Sequence, residues 1–320
     1  MIRNLSNINY NATINTIRIE TIILSSIWIP LFTIGFTGNI FVILIVFKVK
    51  EMQSYIYTLL ASMAVSDALS CLSGLAFTIN QLLYIHGNMT LLQKNITCHL
   101  NVIVIYSSYY TSTHTLTFLS IDRYFAIVRN YQVLKNGQRT RLVIFSTWFF
   151  GIIIAIPIIL LTGVSEALPY VCDYINAEKF VAQIYMAALI IIEVILPGII
   201  VVFCYNKTVS YMNRRIRTVQ EICENKTNEK HTKDAIKMLF VVTIVFISFS
   251  CAFHISKLII TLTNKTMIDM YFQNLPNFYL YTDGIGLCLN IINPVIYCIT
   301  SKSFRRALMA FLKSNKVQQR

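Results

Sequence analysis

The feature that most constrains this chain is the repeated exclusion of charge from long stretches of sequence. Residues 21–47, 68–93, 95–121 and 142–165 contain no Asp, Glu, Lys or Arg; residues 180–206 contain only Glu193, 238–256 none, and 270–301 only Asp283. A helix needs about 20 apolar residues to cross the hydrocarbon core of a bilayer. Seven such blocks predict seven spans, and hence an all-α membrane protein: a seven-transmembrane helix bundle. Composition agrees, because hydrophobic residues make up 56% and charged residues 13%, where a soluble domain carries roughly 25% charged. Disordered, fibrous and disulfide-scaffold classes are excluded.

The net charge of +13 would point to nucleic acid in a soluble protein, but its distribution points to topology. Seven spans divide the connections into two sets. One set, with the C-terminal tail, holds 21 of the 27 Lys and Arg. Cytoplasmic segments carry that excess, so the N-terminus is expected outside and the C-terminus inside, with the basic surface facing anionic lipid rather than nucleic acid. Residues 1–20 are polar and Asn-rich, so the first span is expected to act as the uncleaved signal. Glycosylation sequons on the outer side begin at Asn4, Asn11 and Asn88, and also at Asn95 and Asn264; those at Asn206 and Asn225 fall on the inner side and are expected to stay bare.

The chain divides into an extracellular tail (1–21), the seven-span domain (22–300), and an inner segment (301–320). In that last segment Phe304, Leu308, Phe311 and Leu312 recur at helical spacing with bases opposite. This predicts a short amphipathic helix on the inner leaflet. Of eight cysteines, Cys71, Cys251 and Cys288 fall within spans, and Cys204, Cys223 and Cys298 at or beyond the reducing inner face. Cys98 and Cys172 alone lie in outer segments, which predicts one disulfide between the top of the third span and the loop before the fifth.

Ionisable groups inside a span cost several kcal/mol unless paired or hydrated, so each is a functional candidate. Asp67 lies mid-span, with Ser112, Asn290 and Asn293 at similar depth on other helices. The cluster suits a small cation such as sodium, or else a carboxyl satisfied by hydrogen bonds. Glu193 and Asp283 belong to outer halves rich in aromatic residues, which suits a cleft for a cationic ligand group. Internal pairing with His254 or Lys257, at the outer end of the sixth span, is the alternative. At the inner edge of the third span, Asp122-Arg123-Tyr124 places an ion pair where bilayer meets cytosol, able to release its Arg when helices move. Asn293-Pro294-x-x-Tyr297 gives the seventh span a proline kink with two polar arms.

In this order the signatures resemble the rhodopsin-like (class A) G-protein-coupled receptors from about Ile22 to Leu312. Gly38-Asn39, the Ser62-to-Asp67 run, Cys98 standing 25 residues before Arg123, Trp148, Pro197 with Tyr205, and Phe304 seven residues after Tyr297 all agree. The resemblance implies that Arg123 engages a heterotrimeric G protein, supported by Tyr205 and Tyr297. It also implies that Asp67, Ser112 and Asn293 line a sodium site, and that Cys98–Cys172 is the outer disulfide. No cofactor beyond an allosteric sodium ion is implied, and no enzymatic chemistry: no nucleophile–base pair or metal-ligand spacing is present. A plasma-membrane location follows, in a host cell if the chain is viral, with arrestin as a further partner.

Two departures stand out. The sixth span reads Phe246-Ile-Ser-Phe249-Ser250-Cys251-Ala252-Phe253-His254, with Ser250 where the family carries Trp and Ala252 where it carries Pro. Near the inner end of that span, Thr232 replaces the acid that often pins the third-span Arg. A weakly latched receptor with ligand-free signalling is the expectation. Ile105 and Leu287, at the positions of the amine receptors' Asp and the opsins' Lys, speak against those ligand classes. Tyr281-Thr282-Asp283 is similar to the chemokine-receptor seventh span, so a peptide or chemokine-like ligand is expected, for a viral chemokine-receptor homologue or an invertebrate peptide receptor. A decoy receptor without G-protein coupling, or a transporter, is the rival function.

Overall fold

The computed structural model describes residues 2–85, 87, 89–164, 172–173, 179–219, 226–263, 288 and 290–318. Helix α1 covers Ile2–Lys48, followed by a single 3-10 turn at Lys50–Met52; α2 is Tyr55–Ile85, α3 Leu91–Val128 and α4 Gly137–Leu161. A two-residue antiparallel pair, β1 (Gly163–Val164) with β2 (Cys172–Asp173), follows. Then come α5 (Lys179–Ile190), a π-helical turn at Ile191–Ile195, α6 (Leu196–Val219) and α7 (Lys226–Thr263). The last two helices are α8, Asn290–Thr300, and α9, Lys302–Gln318. Helical backbone runs through the segment assigned above to the N-terminal tail, and the membrane-length apolar part of α1 begins at Arg18.

Five of the expected spans are long and apolar enough to cross a bilayer: Arg18–Lys48, Tyr55–Ile85, Gly137–Leu161, Phe180–Met212 and Phe240–Ile259. Most of the expected seventh lies outside the described residues. The third, α3, is a full-length helix of a different kind. Its middle reads Tyr106-Ser-Ser-Tyr-Tyr-Thr-Ser-Thr-His-Thr, and nearly all of it is buried. Several of the hydroxyls of α3 return to their own helix. Thr113 donates to the Tyr109 carbonyl (3.1 Å), Thr115 to Thr111 (2.7 Å), Thr117 to Thr113 (2.8 Å) and Ser120 to Leu116 (2.9 Å). Where water is absent, each polar group must be satisfied internally. The short hydroxyl residues also let neighbours approach closely. A β-carbon on Gly151 of α4 would lie 2.6 Å from Thr111 Oγ1 and 2.9 Å from the Ser107 carbonyl.

α3 therefore forms the axis, touching α2, α4, α6 and α7, while α1 packs on α2. Phe145, Phe149, Phe150, Ile199 and Phe203 face outward, as lipid-facing residues do. α9 carries Phe304 and Phe311 at the heart of its apolar face, and both are buried against the bundle. Phe304 meets Tyr297 (ring centroids 5.8 Å), Phe311 meets Phe41 (6.4 Å), and Lys48 Nζ sits 5.6 Å from the Phe311 ring centre. Leu312 and Met309 stay exposed. The amphipathic helix thus gives half its apolar stripe to protein and leaves half for lipid.

The π turn has a local cause. Pro197 lacks an N–H, and its ring crowds the carbonyl four residues back, which belongs to Glu193. The helix relieves this by widening for one turn, with the Leu196 N–H reaching Ile191. The widened turn carries Glu193 and Val194 into the bundle, where both are buried. In α7, with Ala252 in the family's proline position, the helix runs unbroken from Lys226 to Thr263.

Candidate functional site

Three polar centres lie along the bundle. The deepest is built on Asp67, which is fully buried. Its Oδ1 accepts from Ser112 of α3 (3.1 Å) and its Oδ2 from Asn293 of α8 (2.8 Å). Ser66 Oγ stands 3.3 Å from Ser112, and Ser108 donates to the Ser66 carbonyl (2.7 Å). Asn290, placed with this group by depth, is one contact removed. Its amide donates to Ser70 (2.8 Å), and its carbonyl accepts from Asn39 of α1 (2.8 Å). Four helices are therefore joined through one carboxylate and its neighbours. The donor set suits a small hard cation: a carboxylate, serine hydroxyls, and buried Oδ1 atoms of Asn39 and Asn290 that accept no hydrogen bond.

The second centre lies at the C-terminal end of α3. Asp122 is buried; its Oδ1 accepts from the Leu134 amide (3.1 Å), whose carbonyl accepts from Thr140 (2.7 Å). Its Oδ2 pairs with Arg123 Nη2, and the same Nη2 donates to the Tyr55 hydroxyl at 2.5 Å. The guanidinium carbon sits 5.6 Å from the centre of the Tyr55 ring. On its other side Arg123 borders a cleft between α3, α6 and α7 that is lined also by Ser120, Val201, Tyr205, Phe240 and Thr243. Tyr205 lies flat on Phe240, ring centroids 3.5 Å apart. Tyr124 points away from the ion pair, against Phe203 (6.0 Å) and Phe125 (5.3 Å). Tyr297 is buried beneath, next to Phe304. Pro294 of α8 is buried against α1, where a β-carbon on Gly38 would touch it at 3.4 Å.

The third centre faces the Cys98 end. The Cys98–Cys172 disulfide forms, Cα atoms 5.5 Å apart, and ties β2 to α3. Asn95 Oδ1 accepts from the Val164 amide (2.8 Å), fastening β1 to the same helix. His254 is buried in an aromatic cluster, with Tyr109, Phe253 and Tyr110 at 5.4, 5.4 and 6.2 Å, and its Nδ1 meets the Ser250 carbonyl (2.9 Å). Tyr109 also stacks on Phe246 (5.4 Å), filling the space beside Ser250. Lys257 is buried with its Nζ 5.7 Å from the Phe253 ring centre. Asp283 and Asn88 lie outside the described residues, as do the side chains of Asn4 and Asn11.

Glu193 does not join His254 or Lys257. The π turn directs it to α3, where His114 Nε2 lies 3.5 Å from its Oε1. Neither carboxylate oxygen accepts a hydrogen bond of normal geometry. His114, Tyr55, Ser70 and Tyr109 are the residues that sequence reasoning passed over. His114 carried a signal, being a titratable residue that follows eight consecutive Ser, Thr and Tyr residues (106–113) within a span. Tyr55 carried none, since a tyrosine at a helix start is common at membrane interfaces.

The family described as 7 transmembrane receptor (rhodopsin family) matches residues 38–297. That interval includes Asp67, Asp122, Arg123, Glu193, Pro197 and Asn293, and ends on Tyr297.

Proposed function

The chain belongs to the rhodopsin family of seven-transmembrane receptors, and from that premise we propose that it carries an extracellular peptide or chemokine-like signal to heterotrimeric G proteins. It is a membrane receptor and not an enzyme. The plasma membrane, with the N-terminus outside, is the proposed location, supported by 21 of 27 Lys and Arg falling on the C-terminal side of the topology. The observation that carries the coupling reading is the Arg123 end. Arg123 borders a cleft between α3, α6 and α7 while its guanidinium is held by Asp122 and Tyr55. A partner helix entering there would find the Arg once α7 swings out and Tyr205 leaves Phe240.

Ligand-free signalling is part of the proposal. α7 has Ser250 and Ala252 where the family has its aromatic switch and kink, and Thr232 in place of an acid. Support for a cationic ligand group comes from the aromatic walls at the Cys98 end and from Asp283; Glu193 faces His114 instead. Sodium at Asp67 is proposed as an allosteric ligand, held by Asp67 and Ser112 with Asn290 and Asn293 nearby. Glycans at Asn4, Asn11 and Asn88, and arrestin as a partner, complete the reading.

Receptor purified into nanodiscs and mixed with a panel of heterotrimers tests it, by GDP release with and without chemokines and short peptides. Acceleration of release supports the coupling, and acceleration without ligand supports basal activity. Arrestin recruitment with no nucleotide exchange on any heterotrimer would assign a decoy instead. Asp283→Asn is expected to weaken the active ligand at least tenfold at unchanged surface expression; unchanged affinity removes Asp283 from the ligand site.

A further inference from the structure

With Thr232 of α7 standing where the family often has the acid that pins Arg123, another contact is needed to keep that side chain from its partner. We propose that Tyr55, at the first turn of α2, is the latch that holds Arg123 away from the G-protein cleft in the ligand-free receptor. The inference rests on the coupling function proposed above and deepens it.

Three observations converge. Arg123 Nη2 is shared between Asp122 and the Tyr55 hydroxyl, the latter at 2.5 Å. The guanidinium also stands 5.6 Å from the Tyr55 ring centre, so the tyrosine holds the cation by its oxygen and by its π face. Asp122 cannot follow the Arg if it moves, because its other oxygen is fixed by the Leu134 amide, itself braced by Thr140. Arg123 is thereby pulled toward α2, away from the cleft it borders with Tyr205 and Phe240.

The mechanical consequence is specific. Among the described residues, both partners of Arg123 lie off α7. Outward movement of α7 therefore leaves both of these contacts in place, and the barrier to coupling moves to the Tyr55–Arg123 contact. Tyr55 starts immediately after the 3-10 turn at Lys50–Met52 and the Ser54 amide that closes on Met52 (3.0 Å), so its backbone is set by a short, tightly bonded connection. A latch on a fixed helix restrains the Arg without restraining the helix that opens. Arg123 is thereby retained with Thr232 in place of the pinning acid.

Removing one oxygen is the test. Tyr55→Phe keeps the ring and the fold while losing the hydroxyl; Tyr55→Ala loses both holds. Initial rates of ligand-free GDP release are measured on nanodisc receptor against the heterotrimer panel, alone and combined with Asp122→Asn. A charge-assisted hydrogen bond at a part-buried site predicts a rise of roughly tenfold for Tyr55→Phe, and more for Tyr55→Ala. Because both residues act on one guanidinium, Tyr55→Phe combined with Asp122→Asn should raise the rate less than the product of the two single effects. A merely structural tyrosine would lower stability without this coupling. Tyr55→Phe no faster than wild type, or fully multiplicative with Asp122→Asn, overturns the latch. No exchange by wild type or any variant on any heterotrimer overturns the coupling reading itself, and the latch with it.

Discussion

Replacing Asp67 by alanine should be costly for a reason that can be followed donor by donor. The carboxylate accepts from Ser112 at 3.1 Å and from Asn293 at 2.8 Å, inside a fully buried site. Ser112 has an alternative, since Ser66 Oγ is 3.3 Å away. The Asn293 amide has no second acceptor among the described residues. One orphaned buried donor costs about 1–3 kcal/mol, and the small void left by the carboxyl adds about 1 kcal/mol. The expected loss is about 2–4 kcal/mol. Asp67→Asn keeps the shape and one acceptor oxygen, so Asn293 stays satisfied while Ser112 turns to Ser66, and the loss should stay under about 1 kcal/mol.

Sodium separates charge from hydrogen bonding. At ten times its Kd a ligand stabilises by about 1.4 kcal/mol, a rise of about 2–4 °C in Tm for a chain of this size. The assay is thermal unfolding of solubilised receptor, followed by a thiol-reactive dye that reports exposure of buried Cys71 and Cys204, in NaCl and in KCl at equal concentration. Wild type should show the sodium increment, and both variants should lack it. An Asp67→Ala receptor that melts with wild type refutes the donor accounting. A sodium increment that persists in Asp67→Asn refutes the cation site.

The Glu193–His114 contact should respond asymmetrically. His114→Leu leaves the buried Glu193 carboxyl without the polar neighbour that stands 3.5 Å from its Oε1 and should lower stability by about 1–3 kcal/mol, whereas Glu193→Leu removes the buried carboxyl altogether and should cost less; the same melting assay decides, and equal losses would sink the pairing. Gly151→Ala forces a β-carbon to 2.6 Å from Thr111 Oγ1 and 2.9 Å from the Ser107 carbonyl. The α3–α4 contact should open at a cost of about 1–3 kcal/mol, and an unchanged Tm would show that the two helices are not that close.

Much of this molecule was legible before its coordinates. Charge-free blocks located the helices, because the penalty for a charge in lipid belongs to each residue and needs no neighbour to be known. Compartment arithmetic found Cys98–Cys172 for the same reason. The Asp67 group was legible through depth alone: Ser112 and Asn293 are contacts, while Asn290 turned to Ser70. α3 exceeded what apolarity could reveal, since several of its hydroxyls are satisfied along the helix and others by Ser66, Asp67 and Thr147 of its neighbours, rather than excluded from it. Tyr109 filling the space beside Ser250 had no signature, because an aromatic residue within a span reads equally well as lipid-facing.

What the sequence determined by itself was how many rods cross the bilayer and which polar residues must find a partner there. Who that partner is belonged to tertiary structure. Successive side chains point about 100° apart around a helix axis, so a single widened turn ahead of Pro197 sent Glu193 to His114 instead of toward α7. The lean of Arg123 toward Tyr55 likewise depended on how α2 stands beside α3. Solvation in a membrane is a property of each residue, whereas pairing is a property of two helices and their relative rotation, and only folding brings that second quantity into being.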